Sequence, residues 1–542
     1  MSNASIPDLL HPEPMQRIDL EHTKIALSLA FAGGVSGGTF SEALEKARVA
    51  PTTWDPKVFV PDLFLQQFVA LCYRVRIGGD EPVVCAPSLI RLLSNPPSDG
   101  AIVEHRRAVL AELLASAPLR GATERLYTSI CRLRTLLEGA FGRGGEANRR
   151  QLDILQTFKS IVDLCADGFV AASSGLSRLA AFGGRIRGGE PYRSLSDLLK
   201  YDDRLANLTL NVRVGADGRI RAFEVLKVGE NEDNPFVSSP LRRWLSKIEL
   251  FVRGYKFSEG EVMARLIDAV FTGIEDELAP LVQLLGDLEF YLGALGFHDT
   301  AKAAMGLAVS LPTFVEARAP RKLKGLFNPL LLAHGMKPVP CQLDTDRHDV
   351  TVLVTGPNSG GKTACSSRSR FRSCSRSVAA SCRRARPSSR APAARGVAHR
   401  ATEGRPIRGA ARHRARPHSR AVREASALFD GDPRRAVLGH QPLRGEEIFE
   451  LVVQMLAKLG PQAFITTHFL AFAGRLERES GISGLRFLQV ELGAEHRPTY
   501  QFTGGVAKTS LAAHAASRLG VTRDQLLSLV DRNTRAATGK EI

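Results

Sequence analysis

No run of 18 apolar residues occurs in this 542-residue chain, so the sequence predicts no membrane span and no membrane partner. The amino terminus, Met1-Ser2-Asn3-Ala4-Ser5-Ile6-Pro7-Asp8, lacks a basic stretch followed by an apolar core, so no signal peptide is expected there. The eight cysteines lack the paired spacing of a zinc site. Cys72, Cys85, Cys131, Cys165 and Cys341 are scattered, mostly among apolar neighbours. That usage fits reduced thiols and predicts a cytoplasmic protein.

Lysine is missing from one long interval. Between Ala364 and Gly445 there are 20 arginines, no lysine and four acids (Glu403, Glu424, Asp430, Asp432), a net charge of +16. The whole chain carries +17, so everything else is close to neutral. Bulk charge therefore gives no ground for nucleic-acid binding by the rest of the protein. Runs such as Cys382-Arg383-Arg384-Ala385-Arg386 have neither a helical nor a strand period.

Immediately before that interval stands Val352-Leu353-Val354-Thr355-Gly356-Pro357-Asn358-Ser359-Gly360-Gly361-Lys362-Thr363. It reads as a buried strand, a glycine-rich phosphate loop of the G-x-x-x-x-G-K-T type, and the start of a helix. Gly356, Gly360 and Gly361 let backbone N–H groups approach phosphate oxygens. Lys362 is expected at the β- and γ-phosphates of ATP, and Thr363 at Mg²⁺. The helix N-terminus adds partial positive charge.

The wording T-G-P-N-S-G-G-K-T resembles the MutS family, the mismatch-repair ATPases of the ABC type. Leu326-Phe327-Asn328-Pro329-Leu330 and Val339-Pro340 resemble that family's approach to its first ATPase strands, with Asn328 where a histidine is usual. Gln462-Ala463-Phe464-Ile465-Thr466-Thr467-His468 is similar to its A-T-T-H switch, which makes His468 a sensor of the γ-phosphate. In the family pattern Pro357, Asn358 and Ser359 complete the ATP-binding loop. Thr499-Tyr500-Gln501-Phe502-Thr503-Gly504-Gly505-Val506 and Ser510 through Val521 resemble the closing hairpin and helix. The resemblance implies ATP and Mg²⁺ as cofactors and mismatched, branched or otherwise structured duplex DNA as partner. It also implies a homodimer through paired ATPase domains, with ATP gating a clamp on DNA. No Phe-x-Glu wedge stands in a suitable N-terminal setting, and the tail lacks the nuclease-like extension of the MutS2 branch.

The family needs a Walker B carboxylate inside the arginine-rich interval, and none is legible. A shifted reading frame accounts for this. Ala364-Cys365-Ser366-Ser367-Arg368-Ser369-Arg370 can be encoded so that one restored base yields Arg-Leu-Leu-Gln-Ser-Leu-Ala, an amphipathic helix. Pro433 through Pro442, read one base later, yields Leu-Asp-Glu-Leu-Cys-Ser-Gly-Thr-Asn, which contains an Asp-Glu pair where Arg434 and Arg435 now stand. The two ends need different offsets, so three single-base losses are required. The alternative is a genuine disordered arginine-rich insert. Gly445-Glu446-Glu447-Ile448-Phe449 opens an ordinary helix again. Without the Walker B acids to complete the Mg²⁺ shell and activate water, ATP hydrolysis by this chain is expected to be impaired.

Upstream, apolar residues recur at helical spacing over Ala101–Ser116, Leu126–Leu137, Gln151–Val170 and about Glu259–Leu295. Leu208–Val214 and Ile220–Leu226 flank an Asp-Gly turn and predict a hairpin. Pro235–Pro240 and Pro320–Lys324 read as joints. Ala86-Pro87-Ser88-Leu89-Ile90 through Arg106 resembles the MutS core line. The expected architecture is α+β: an N-terminal region (1–60), a mainly helical core and lever region (61–320), and an ABC-type P-loop ATPase domain of α/β type (321–542), disrupted over 364–445. Two other readings stay open, a P-loop ATPase whose helices bind protein or RNA, and an inactive product of a broken frame.

Overall fold

A computed structural model of the chain describes residues 6–33, 37–52, 55–139, 146–202, 206–214, 220–230, 259–305, 307, 309–313, 320–345, 347, 350–356, 442–459, 463–467, 469–479, 481–493, 498–508, 527–528 and 530. The helices before the first strand are α1 (Leu20–Ala32), α2 (Thr39–Lys46), α3 (Pro56–Asp62), α4 (Leu65–Leu71), α5 (Ala86–Ser94), α6 (Gly100–Ala115), α7 (Ala117–Glu138), α8 (Glu146–Gly168), α9 (Ser177–Gly188) and α10 (Glu190–Asp202). Then come β1 (Ala206–Val214), β2 (Ile220–Glu230), α11 (Glu259–Met305), β3 (Arg321–Leu326), α12 (Pro329–Ala333), β4 (Cys341–Thr345) and β5 (Thr351–Thr355). The described chain closes with α13 (Pro442–Leu459), β6 (Ala463–Thr466), α14 (Leu470–Glu479), β7 (Leu485–Leu492) and β8 (Pro498–Gly504). The protein is thus mixed helix and sheet, with one long helix and small sheets. It divides into two compact units: Met1–Thr52 with Tyr73–Asp299, and Thr53–Cys72 with Thr300–Arg376 and Cys382–Ile542.

The first unit is helical, and local chemistry sets its helix ends. The Asp19 carboxylate accepts the His22 N–H to start α1, and Gly33, at φ 100°, ends it in the left-handed region. Ser116 ends α6 and caps α7, its hydroxyl accepting from the Leu119 N–H at 3.4 Å. Helices α8 and α9 approach closely at Gly183, where an added Cβ would lie 2.4 Å from the Ala166 nitrogen. Arg187 of α9 ties Asp163 and Asp167 of α8 at 3.0 and 2.7 Å. The predicted hairpin forms: β1 and β2 pair antiparallel, with Val214 opposite Ile220 and a register shift at Thr209/Leu210.

Helix α11 is the spine of this unit. Its 47 residues span about 70 Å at 1.5 Å per residue. Met263–Ala303 is long and apolar enough to cross a bilayer by length and composition, which the search for an unbroken apolar run did not show. Its apolar window is wholly buried in protein, the behaviour of a core helix.

Against α11 lies the irregular segment Asp8–Arg17. Leu9 and Leu10 are fully buried, and so are the groups that fix them. The Arg17 guanidinium bonds Asp287 of α11 and lies 3.4 Å from Asp8. The Leu9 N–H donates to Asp287 at 3.0 Å, and the Tyr291 hydroxyl donates to the Leu9 carbonyl at 2.7 Å. Gln283 closes the line, accepting from the Arg17 N–H and donating to the Met15 carbonyl. From the neighbouring helices, Arg106 donates to the Leu10 carbonyl and Arg178 to those of Asp8 and His11. Burial alone would raise the Asp8 pKa, but Arg17, His11 and the Leu10 N–H outweigh it and hold the carboxyl at about 2. Burial pushes Asp287 up to about 7, with Arg17 opposing.

The second unit is built on a four-stranded sheet in the order β6-β5-β7-β8. Strand β5 pairs in parallel with β6 and β7, while β8 returns antiparallel to β7. All five residues of β5 are buried, as expected of a central parallel strand. Leu353 faces a core with Val453 of α13 and Phe472, Ala473 and Leu476 of α14. Val352 and Val354 face the other way, with Phe464, Leu488 and Phe502. Strands β3 and β4 form a separate antiparallel pair. Two expectations are corrected here. Arg321–Lys324, read as a joint, is strand, because Leu323 pairs opposite Leu343. Helix α13 begins at Pro442, inside the interval read as aperiodic, so Pro442–Gly445 already belong to an ordered element. Pro235–Pro240 lie outside the described residues.

Candidate functional site

The carboxyl end of β5 is where sequence and structure converge. Thr351–Thr355 has the composition of a fully buried strand and forms one. The next residue, Gly356, has φ 133°, a conformation that L side chains rarely adopt. A Cβ there would lie 2.9 Å from the Cβ of Val490 in β7, so both conformation and space require glycine. This is the first glycine of the predicted phosphate loop. Such ligands bind outside the carboxyl ends of parallel strands, and β5 presents that end here.

The neighbouring strand ends at the same level. Val354 pairs with Thr466, and the Thr467 N–H donates to the Val354 carbonyl at 3.0 Å. Thr467 is buried, and its hydroxyl accepts from the Phe469 N–H at 3.1 Å. Val354, two residues before Gly356, and Thr467, which precedes His468, are therefore hydrogen-bonded neighbours. Pro357, Asn358, Ser359, Gly360, Gly361, Lys362, Thr363 and His468 themselves lie outside the described residues. So do Asp430, Asp432, Arg434 and Arg435.

On the other side, the fully buried Thr355 makes two bonds that the sequence did not suggest. Its hydroxyl accepts from the Ala507 N–H at 2.8 Å and donates to the Leu488 carbonyl at 3.3 Å. Those partners lie 152 and 133 residues away, beyond the reach of any local pattern. Strands β7 and β8 pair antiparallel over Pro498–Gly504, while Ser510–Val521, expected to form the helix after them, lie outside the described residues. Tyr500 sits in β8 at φ 62° near a register shift. The upstream approach is also ordered. The Asn328 side chain caps α12 by accepting from the Leu330 N–H at 3.0 Å, and Gln501 donates to the Pro340 carbonyl at 2.8 Å. Asparagine performs that capping well, which gives Asn328 a structural role of its own.

The described framework is a buried parallel strand ending in a positive-φ glycine, from which the rest of the loop, Pro357–Thr363, departs. Lys362 and Thr363 are the residues that would meet phosphate and Mg²⁺. Among the described residues no group of three or more His, Cys, Asp or Glu side chains is placed to hold a metal ion. Phe40-Ser41-Glu42 does spell Phe-x-Glu, but Phe40 is 1% exposed within the core of the first unit, so it is no protruding wedge.

No family model matches the chain. Over 100 residues it is 34% identical to Endonuclease MutS2 of Gemmatimonas aurantiaca. That match covers 18% of this chain and 12% of the relative. Over that stretch the chain is similar to a MutS2 protein, and it spans only a small part of that relative's length.

Proposed function

We propose that the chain is a MutS-related, DNA-associated protein whose second unit binds ATP with Mg²⁺. The observation that carries this is the buried parallel strand β5 ending in a left-handed glycine and followed at once by the remaining letters of G-x-x-x-x-G-K-T. The MutS2 match supports the same reading. In it, Lys362 contacts the β- and γ-phosphates, Thr363 contacts Mg²⁺, and His468 senses the γ-phosphate from the adjacent strand end. The domain is of the ABC type, pairs with a second copy, and couples ATP binding to a grip on structured duplex DNA in the cytoplasm. Hydrolysis is weak, because Arg434 and Arg435 stand where a one-base shift would encode Asp and Glu.

The arginine-rich interval favours a second reading for this particular polypeptide, an ATP-binding remnant with a broken catalytic half. Binding and hydrolysis separate the two. A fluorescent ATP analogue should bind the chain and fail to bind Lys362→Ala. Lys362-dependent phosphate release near 1 s⁻¹, the low end of ordinary turnover, would show an intact enzyme and a genuine insert. Anisotropy on homoduplex, mismatched and four-way DNA, with and without ATP, tests the DNA partner. Binding that ignores ATP and collapses with salt points to the arginines alone. No binding on any of the three shifts the helical unit toward a protein or RNA partner. Resequencing the coding DNA across codons 360–450 decides the frame.

A further inference from the structure

We propose that Thr355 is a positioning residue that couples the phosphate loop to the segment Gly505–Lys508, an inference that rests on the ATP reading of that loop. Thr355 is the last residue of β5 and is covalently joined to Gly356, the root of the loop. Its side chain is fully buried and faces β7 and the chain beyond β8.

Three contacts gather there. Strand β8 ends at Gly504, and Gly505, at φ 103°, turns the chain while its N–H donates to the Phe487 carbonyl at 3.1 Å. Two residues on, Ala507 is 8% exposed and donates its N–H to the Thr355 hydroxyl at 2.8 Å. The same hydroxyl donates to Leu488 in β7, so one oxygen serves two backbone groups from two segments. Gly356 meanwhile lies too close to Val490 to accept a side chain. The root of the loop is thus packed against β7 and hydrogen-bonded, through Thr355, both to β7 and to the chain after β8.

A hydroxyl is needed for this, where a methyl is not. Valine has nearly the shape of threonine and would keep the packing, but it would leave the buried Ala507 N–H without its acceptor. Any shift of Gly356 when phosphate enters the loop passes through Thr355 to Ala507. By linkage, holding Ala507 also holds the loop.

Amide hydrogen exchange of the peptide containing Ala507, paired with binding of a fluorescent ATP analogue, tests this on the full chain. ATP should change exchange at Ala507 in the unmodified protein. Thr355→Val should weaken ATP binding by up to about tenfold, because binding must then supply the order that one to two hydrogen bonds had provided in the free protein, and abolish the ATP-dependent change. Thr355→Ser should restore both. Thr355→Val that binds ATP normally and keeps the response would overturn the proposal. If Thr355→Val fails to fold, the unmodified chain decides: ATP binding that leaves Ala507 exchange unchanged also overturns it. Failure of the unmodified chain to bind ATP at all, with Lys362→Ala indistinguishable, removes the ATP reading and the coupling with it.

Discussion

The two units bury different kinds of polarity. The first encloses Asp8, Arg17, Arg106, Asp287 and Glu289. Among the described residues of the second, the buried polar side chains are the threonines Thr345, Thr351, Thr355 and Thr467. The difference follows from what each has to hold. Of these threonines, Thr355 reaches backbone groups of two other segments, Thr345 and Thr467 bond backbone groups two residues on, and the Thr351 hydroxyl has no hydrogen-bond partner. An irregular segment such as Asp8–Arg17 has no ladder, so long charged side chains must reach its carbonyls and N–H groups from helices. Buried ions bring little net stability against apolar replacements of equal volume, but breaking a set already in place costs much.

That contrast is broken most severely at Arg17. Arg17→Met leaves Asp8 and Asp287 buried without their cation, and should destabilise the first unit by about 3–5 kcal/mol in urea unfolding. A loss near zero would mean that the segment is held without this cation, by Leu9, Leu10 and the bonds from Tyr291, Gln283, Arg106 and Arg178. The next effect is steric. Gly183→Ala, with its Cβ driven into the α8 backbone, should cost about 2–3 kcal/mol. Its neighbour Gly184, which has open space, should accept alanine with a gain of up to about 1 kcal/mol. Equal effects at the two positions would refute the close approach of α8 and α9.

Glu289 sharpens the comparison through pH. Its Oε2 accepts from the Cys85 N–H at 2.9 Å, and burial pushes the carboxyl from 4.5 to about 7 against the opposing Cys85 N–H, Arg134 and Tyr127. The folded state therefore holds the proton more tightly than the unfolded chain. The resulting stability is complete below about pH 4.5 and is lost as pH rises through 7. Glu289→Gln carries no such proton and should be more stable than the parent above pH 7 by about 1–3 kcal/mol. Thermal melts of both across pH 5–9 should show the parent curve falling relative to the variant. The smallest loss belongs to the second unit, where Asn328→Ala removes one helix cap at a cost of about 1 kcal/mol. Guanidinium unfolding followed through that unit checks it.

Much of this was legible in the sequence because it is local. The apolar run of β5 with its glycine, the helices α6 to α8 and α11, and the β1/β2 hairpin all follow from period or turn chemistry. Residues 8–17 have no period, since irregular structure imposes none, and their burial depends on Gln283, Asp287 and Tyr291 far along the chain. The Thr355 bonds were invisible for the same reason. Arg321–Lys324 misled because its proline and basic side chains look like a linker, although Leu323 and Leu326 supply strand pairing. At α13 the helix begins among residues whose composition still resembles the preceding interval.

The bond between Arg17 and Asp287 joins residues 270 positions apart. During synthesis at roughly 5–20 residues per second, the first leaves the ribosome roughly 15–50 s before the second exists. Throughout that wait Leu9, Leu10 and their charged escorts lack the helix that buries them. Asp8–Arg17 is thus made well before the helix that buries it and is among the last segments of the first unit to find its place. Until α11 is made the nascent chain carries an unsatisfied apolar segment, a natural target for a chaperone that binds short hydrophobic stretches.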